Sequence, residues 1–526
     1  MSFSPSDVFQ GEIKNNLFIA LIGSLAQQNK LNDIIATNQL NPERYFGVYF
    51  YVQGQRKMII VDDYLPTLND QMIYAKQGKN QQIWVPLLEK AWAKFNGNYE
   101  FMEQADNNIN QLFQSILNNN ATIFRKTDPN SINSDVVKLR IMLQNYLDNQ
   151  IPFIIKTAQN TNNDGLIINQ YGIPYDSYNN VISIHQILDV DGNIQSNILR
   201  LRDTCGDDSL NSGPFHDNDL NNWTPEIQVQ VPYVNDLTDG YFFILDTLLL
   251  EILDSVIAPT TIHQNFRQSR LDILNDDSTY KTINIEIPQS NLEISIGTLK
   301  YAKYLYPPSD QCRNTSQRET GIMKLFKGDT LIDWKKTSSL NEYDYMYFNK
   351  VLAQGSYQLW VKMKWFDTEV KDYTIYINTT TDVLIAQVAY SNVTKQREDL
   401  MNKQFKALEN LNFQTPNKLS YKRTLFQFNQ TSFLDDGFYY HLFDNILKFR
   451  ADYNFTFQAS GLLMLSQIPD QCQIQNAYSE TGQNTYLCQC KIRPKLNLSS
   501  CLYFFSMREN EISSFKPTFL YKYKPN

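Results

Sequence analysis

The stretch "WVPLLEKAWAKFNG", Trp84 to Gly97, decides how the first half of this chain is read. Trp84, Leu87, Leu88, Ala91, Trp92 and Phe95 recur at i, i+3, i+4, i+7, i+8 and i+11, which is the apolar stripe of a helix. Pro86 suits the first turn, where a missing N–H costs little, and Gly97 suits the C-terminal cap. Upstream, "VYFYVQGQRKMIIVDDYLP" reads as two strands around a turn at Gln53-Gly54, ended by Pro66. Downstream, a helix is predicted over Ser134–Asn149, and "VISIHQILDV" and "NILRLR" flank a hairpin turn at Asp191–Asn193. Beyond Pro259 the pattern is almost wholly β. In "GSYQLWVKMKW" Tyr357, Leu359, Val361, Met363 and Trp365 share one face, and Gln358, Trp360, Lys362 and Lys364 the other, which predicts a half-buried strand. A polar helix is expected from Lys395 to Leu411, before a last region rich in Tyr and Phe.

Bulk composition narrows the function classes. At 526 residues the chain should form three or four compact units, and 42% hydrophobic with 13% aromatic residues is ample for packed cores. The net charge of −8 is uneven: residues 401–526 hold 14 Lys and Arg against 9 Asp and Glu, so the acidity lies in the first 400 residues. An acidic body without a basic run argues against nucleic-acid binding. The most apolar helix-like stretch, "YFFILDTLLLEILDSVIA", is interrupted by Asp246, Glu251 and Asp254, so no segment is expected to span a bilayer. Asp7 and Glu12 stand where a secretory leader carries basic residues, and the expectation is an intracellular protein with reduced thiols. The six cysteines lack zinc spacing, since Cys488-x-Cys490 is too tight for a CxxC knuckle. No metal or cofactor is expected.

These stretches resemble the calpains, cysteine proteases of papain-like fold. "DVFQGEIKNNLFIALIGSL", Asp7 to Leu25, is similar to the family's D-I-C-Q-G-x-L-G-D-C-W-L-L-A-A-I-A-S-L. "MIIVDDYLP" is similar to V-V-V-D-D-x-L-P, and "WVPLLEKAWAKFNGNYE" follows F-W-x-x-L-L-E-K-A-Y-A-K-x-N-G-x-Y-E without a gap. "NNVISIHQI" stands where the family has G-H-A-Y-S-V, "ILRLRDTCG" where it has I-R-x-R-N-P-W-G, and "DGYFFILDTLLLEI" where it has D-G-x-F-W-M-S-F-x-D-F. The resemblance covers residues 7–258 and continues more weakly over 270–390, which look like the family's C2-like sandwich. It implies an α+β fold: a papain-like core in two halves, then one or two C2-like β-sandwich domains. The expected segments are 1–125 (helical half), 126–262 (β half), 263–394 (C2-like sandwich) and 395–526 (a second β-rich domain).

Carried over residue by residue, the resemblance places the catalytic cysteine at Asn16, the general-base histidine at Asn180 and the orienting asparagine at Asp203. The tryptophan beside the last becomes Cys205, and only Gln10, at the oxyanion-donor position, is retained. Such enzymes need a thiolate, an imidazole that takes and returns its proton, and a group that holds the imidazole. A carboxamide offers no titrating proton near neutrality and no general base. The expectation is therefore a pseudopeptidase without catalytic residues. Stand-ins are poor: His185 is an odd offset from Asn180 on a strand and points to the other sheet face. His216 lacks a cysteine partner, Ser24 lies two turns into the helix, and Cys205 has no expected base. "DVDGN", Asp189 to Asn193, opens like an EF-hand loop but lacks the twelfth-position Glu, and a hairpin turn is the simpler reading. The family's Gly-Gly calcium loop is replaced by "FMEQADNNINQLFQSI".

Three functions stay open. The first is a non-catalytic structural or adaptor protein in a multi-subunit assembly; the resemblance implies a cytoskeletal or ciliary setting with microtubule or axonemal partners. The second is a calcium- or membrane-responsive regulator acting through the C2-like domain, with Lys362 and Lys364 as candidate basic positions. The third is a cysteine-type peptidase with non-standard catalytic residues.

Overall fold

The computed structural model describes residues 3–12, 15–37, 42–52, 54–78, 81–99, 102, 109–161, 165–260, 267–273, 281–300, 319–336, 346–365 and 373–389, and the strands beyond residue 418. The fold is α+β in two compact units, the first Met1–Phe266 with Lys300–Cys312 and the second Arg267–Leu299 with Arg313–Asn526.

The first unit begins with helix α1 (Asn16–Gln27), apolar on every side and buried from Leu17 to Ala26, as an internal helix must be. Strands β1 (Tyr45–Val52) and β2 (Gln55–Asp62) form an antiparallel hairpin in which Val52 pairs with Gln55, and Gly54 takes the positive φ of the turn. A short ribbon follows, β3 (Thr67–Leu68) with β4 (Gln71–Met72). Helix α2 (Trp84–Asn96) follows the predicted stripe; Gly97 caps it at φ 104° and donates its N–H to Lys94 O. Trp92 lies at the centre of an aromatic cluster, stacked on Phe18 of α1 at 5.5 Å and edge-on to Phe50 of β1 at 5.3 Å.

The remaining elements of this unit are α3 (Ile109–Leu117), β5 (Ala121–Arg125), α4 (Val136–Asp148), β6 (Ile154–Thr157), β7 (Tyr178–Leu188), β8 (Ile194–Asp203), α5 (Pro225–Gln230), β9 (Tyr241–Leu245), α6 (Asp246–Ile252) and β10 (Leu253–Pro259). Six of the strands form one antiparallel sheet in the order β5-β10-β6-β7-β8-β9. Helix α4 starts where the Asp135 carboxylate accepts the N–H groups of Val137 and Lys138. The DGN turn is a hairpin turn: Asp189 Oδ1 accepts the N–H groups of Asp191 and Asn193. One core joins α1, β1 and α2 and also takes in Ile154 and Ile257 of the sheet; a second packs α4 and α6 on the sheet's other face, with Ile155 and Val256 of the same two strands.

The second unit begins with two antiparallel sheets that share one apolar core. One is β11 (Arg267–Ile273), β18 (Tyr373–Thr379), β13 (Leu292–Lys300) and β16 (Tyr347–Leu352), in that order. The other is β15 (Thr330–Lys336), β14 (Glu319–Lys327), β17 (Gly355–Trp365), β12 (Lys281–Ile287) and β19 (Leu384–Gln387). Ile273, Ile294 and Ile375 of the first meet Ile285, Leu325 and Leu359 of the second in that core, the pattern of facing sheets. Strand β17 departs from simple alternation. Tyr357, Leu359, Val361 and Met363 point into the core as predicted, but Trp360 on the opposite face is 1% exposed and packs on Phe326 at 4.7 Å. An indole carries too much apolar surface to leave in water when a neighbour covers it.

Beyond residue 418, Leu419–Leu425, Phe428–Asp435, Phe438–Asn445, Tyr503–Met507 and Leu462–Ser466 form a five-stranded antiparallel sheet. Cys472–Tyr478, Asn484–Ile492, Ala451–Ala459 and Lys522–Lys524 form a four-stranded one. The helix expected over Lys395–Leu411 lies outside the described residues. No described helix is long and apolar enough to cross a membrane.

Candidate functional site

The candidate site forms where three segments meet: the chain entering α1, the start of α1, and the end of β8. Gln10 N–H donates to Thr204 O at 2.9 Å and Lys76 N–H to Phe9 O at 2.9 Å, so residues 9–10 lie between the β8 exit and the segment before α2. Gly11 is required here, because a Cβ would sit 1.9 Å from Tyr74 O. Gln10 Nε2 then donates to Asn16 Oδ1 at 2.5 Å, and the Thr204 hydroxyl donates to Gln10 Oε1 at 3.3 Å. The result is a chain of two carboxamides and a hydroxyl across the helix start.

Helix α2 holds that start in place. Asn15 leaves the N-cap bond of α1 unmade and donates Nδ2 to Glu89 Oε1 at 2.7 Å, while Ala75 N–H donates to Glu89 Oε2 at 2.7 Å. Glu89 is buried, which pushes its pKa up to about 7 against the two hydrogen bonds that favour the anion. The Glu of "LLEK" is thus a strut beneath Asn15, the residue before Asn16. Residues 15 and 89 are 74 positions apart, a distance that periodicity does not bridge.

The other two predicted positions lie apart from Asn16. Asn180 Nδ2 donates to Ala20 O at 2.8 Å, one helical turn beyond Asn16, and a Cβ on Gly23 would lie 2.3 Å from Asn180 Oδ1. Asn180 therefore fills the groove between α1 and β7 below the helix start. In the β7–β8 register Asn180 pairs with Arg202, and Asn179 with Asp203. Partners across a ladder share a face and neighbours alternate, so Asp203 lies on the opposite face from Asn180. The Asp203 carboxyl is buried and accepts Cys205 N–H at 2.6 Å; its pKa is raised, by burial first. Gln10 and Asn16 touch, whereas Asn180 and Asp203 join neither them nor each other.

The remaining candidates separate as well. Cys205 is exposed as a residue, but desolvation of its sulfur against the chain and then the Asp203 carboxylate push the thiol up to about 12, away from the thiolate. Ser24 Oγ accepts Phe153 N–H at 2.9 Å inside the core. His216 Nδ1 bonds Gly213 O at 2.8 Å within its own turn. His185 Nε2 lies 2.7 Å from Ser183 Oγ, a hydroxyl–imidazole pair. The register shift between Val181 and Ser183 sets His185, opposite Ile198, on the same face as Asn180, opposite Arg202, where the odd offset predicted the other face. Burial first and Arg200 second lower the His185 pKa, and among the described residues no carboxylate bonds its other ring nitrogen.

Two charged features went unseen in the sequence. Arg202 is fully buried, with its guanidinium over the Phe9 ring at 5.1 Å and the Tyr241 ring at 5.4 Å, and none of its nitrogens has a hydrogen-bond partner among the described residues. Burial lowers its pKa. Asp208 and Asp217 are buried near Asp239; Asp208 Oδ1 accepts Gly240 N–H at 3.0 Å and Asp217 Oδ2 accepts Asp236 N–H at 2.9 Å. Burial and the two neighbouring aspartates push Asp208 up to about 7. The doublet Asp207-Asp208 and the "DGYFF" start were the signals available. Among the described residues, no group of three His, Cys, Asp or Glu is arranged to hold a metal ion.

The sequence is similar to known proteins over its first half. The sequence profile of the calpain family cysteine protease matches residues 1–254. The calpain-type cysteine protease DEK1 of Zea mays is 24% identical over 245 residues, which are 46% of this chain and 11% of that protein. Calpain-5 of Mus musculus is 34% identical over 110 residues, 19% of this chain and 17% of its own length. The chain thus spans a small fraction of the curated relatives it matches. A solved clostridial cysteine protease, Cwp84 after propeptide cleavage, aligns over 74% of this chain and 86% of its own at 10% identity, with a TM-score of 0.23 that carries no argument.

Proposed function

Residues 1–254 belong to the calpain family of cysteine proteases, and on that premise we propose that this chain is a calpain-like pseudoprotease with a structural or adaptor role. One observation carries the reading: the Gln10 carboxamide is bonded to the carboxamide of Asn16, at the helix start where the resemblance puts the nucleophile. Neither group ionises near neutrality, so no anion forms there to attack a carbonyl. The Gln10 Nε2–H that the family aims at an oxyanion is engaged by Asn16. In this reading residues 1–125 and 126–262 are the two halves of a papain-like core, and the sheets after residue 263 are C2-like.

The supporting physics is that framework residues persist where reactive ones do not. Trp84, Leu88, Trp92 and Glu89 are all buried and engaged, so the core retains its packing without its chemistry. A folded protein in this state serves through its surfaces. The cytoskeletal or ciliary setting, with microtubule or axonemal partners, rests on the resemblance alone.

The test is turnover of fluorogenic peptides together with labelling by a cysteine-directed electrophile. No turnover and no labelling above the denatured-protein control is expected. Substituting Asn16→Cys alone leaves turnover at background, because Asn180 is bonded to Ala20 O and, among the described residues, no imidazole stands beside position 16. A second reading, an unconventional hydrolase, is favoured by the Ser183–His185 contact; turnover that disappears in Ser183→Ala would establish it and sink the pseudoprotease. Pelleting with liposomes, with and without calcium, tests the regulator reading.

A further inference from the structure

Three of the six cysteines fall on one face of the four-stranded sheet beyond residue 418. In its hairpin of Cys472–Tyr478 and Asn484–Ile492, Cys472 stands directly opposite Cys490, and Ile474 opposite Cys488. Partners across a ladder share a face, and so do residues two apart along a strand, which sets Cys472, Cys488 and Cys490 on the same one. The strand Ala451–Ala459 places Tyr453 opposite Cys490 and Phe455 opposite Cys488, so that face is otherwise apolar. Gln473, Gln475, Gln489 and Lys491 occupy the other face. A slip of one residue would exchange the two sets, so the alternation itself specifies the register that pairs the cysteines.

Directly opposed residues of an antiparallel pair have Cα atoms about 4.5 or 5.5 Å apart, according to the hydrogen-bonding class of the rung. Both separations lie within the span of about 4.4–6.8 Å that a disulfide bridges. Cys488 is diagonal to Cys472, where the separation grows to about 7–8 Å and a bridge no longer fits. Position along the hairpin matters too. Cys472–Tyr478 is an edge strand, and the turn follows Tyr478, which pairs with Asn484. The rung of Cys472 and Cys490 is the one farthest from that turn. A bond there closes the open end of the hairpin, where an edge strand otherwise frays.

We propose that Cys472 and Cys490 form a reversible disulfide by exchange with a small-molecule disulfide, oxidised glutathione. The Cys472 thiolate attacks one glutathione sulfur and expels a glutathione thiolate; the Cys490 thiolate then attacks the Cys472 sulfur of the mixed disulfide and expels the second. The protein gives up two protons and two electrons, and the reagent leaves as two thiols. To test this, the full native chain is equilibrated with oxidised glutathione, its remaining thiols are alkylated, and it is cleaved unreduced after Lys, Arg and Glu. Cleavage at Arg450, Glu480 and Lys491 leaves Cys472 in one peptide and Cys488 with Cys490 in the next. The expected product joins the two from Cys472 to Cys490, at least about tenfold over Cys472 to Cys488, because a fixed register holds only the first pair in reach. In the urea-denatured chain the two closures involve loops of nearly equal length and should form about equally. Cys490→Ser should remove the link and Cys488→Ser should leave it, and the wild-type ratio decides if either variant fails to fold. A native chain that stays unlinked, links equally through Cys488, or bonds only within the second peptide overturns the proposal.

Discussion

At Glu89 a carboxyl group is buried with one carboxamide N–H and one backbone N–H for company, and no cation among the described residues. Its pKa is pushed up to about 7, so the neutral acid suits the fold better than the anion. A carboxyl raised in this way contributes its full stability below the unfolded carboxylate range, and the contribution is lost as pH rises through about 7. Asp208 acts in the same direction, for the same cause. Melting temperature should therefore fall between about pH 5 and pH 8, and Glu89→Gln should flatten that slope; a Tm unchanged or rising over this range refutes the assignment. The motif "LLEK" made Glu89 legible as a family residue. Its role as a strut under Asn15 was not, because that contact exists only once α1 and α2 have packed.

Elements differ in how openly the sequence declares them. Helix α2 was legible from six residues on one stripe and a glycine stop, and the β1–β2 turn from Gln53-Gly54. The junction of α1 with β7 was not. A helix advances about 1.5 Å per residue and a strand about 3.3 Å, so the depth at which Asn180 meets α1 depends on how the two are docked. The structure sets it beside Ala20 and Gly23. Gly23→Ala should cost about 1–3 kcal/mol, since its Cβ would overlap Asn180 Oδ1, which lies 2.3 Å away. Most of that cost should vanish in an Asn180→Ala background. Additive losses in a double-mutant cycle by urea unfolding would show that the two side chains are not in contact. Strand β17 teaches a related point: alternation predicted its core face, but only a neighbouring strand could reveal that Trp360 is covered as well.

Across the whole molecule, the two units carry separate hydrophobic cores. Cooperativity follows the shared core, so calorimetry of the full chain should resolve at least two transitions. Trp92→Ala, which empties the Phe18–Phe50–Trp92 cluster, should lower only the transition of the first unit. A single transition that moves as one in the variant would mean the units unfold together.

By itself the sequence determined that residues 1–254 match the calpain family, and it is that resemblance which sets carboxamides where the family has its thiol and imidazole. Those are matters of residue type and spacing along one element, which a linear chain records directly. Only the tertiary structure decided that Gln10 is bonded to Asn16, that Asn180 lies a turn deeper, that Asp203 faces the other way, and that Cys472 stands opposite Cys490. Each of these depends on how separate elements dock, where a shift of one strand residue exchanges faces and no local pattern registers the change.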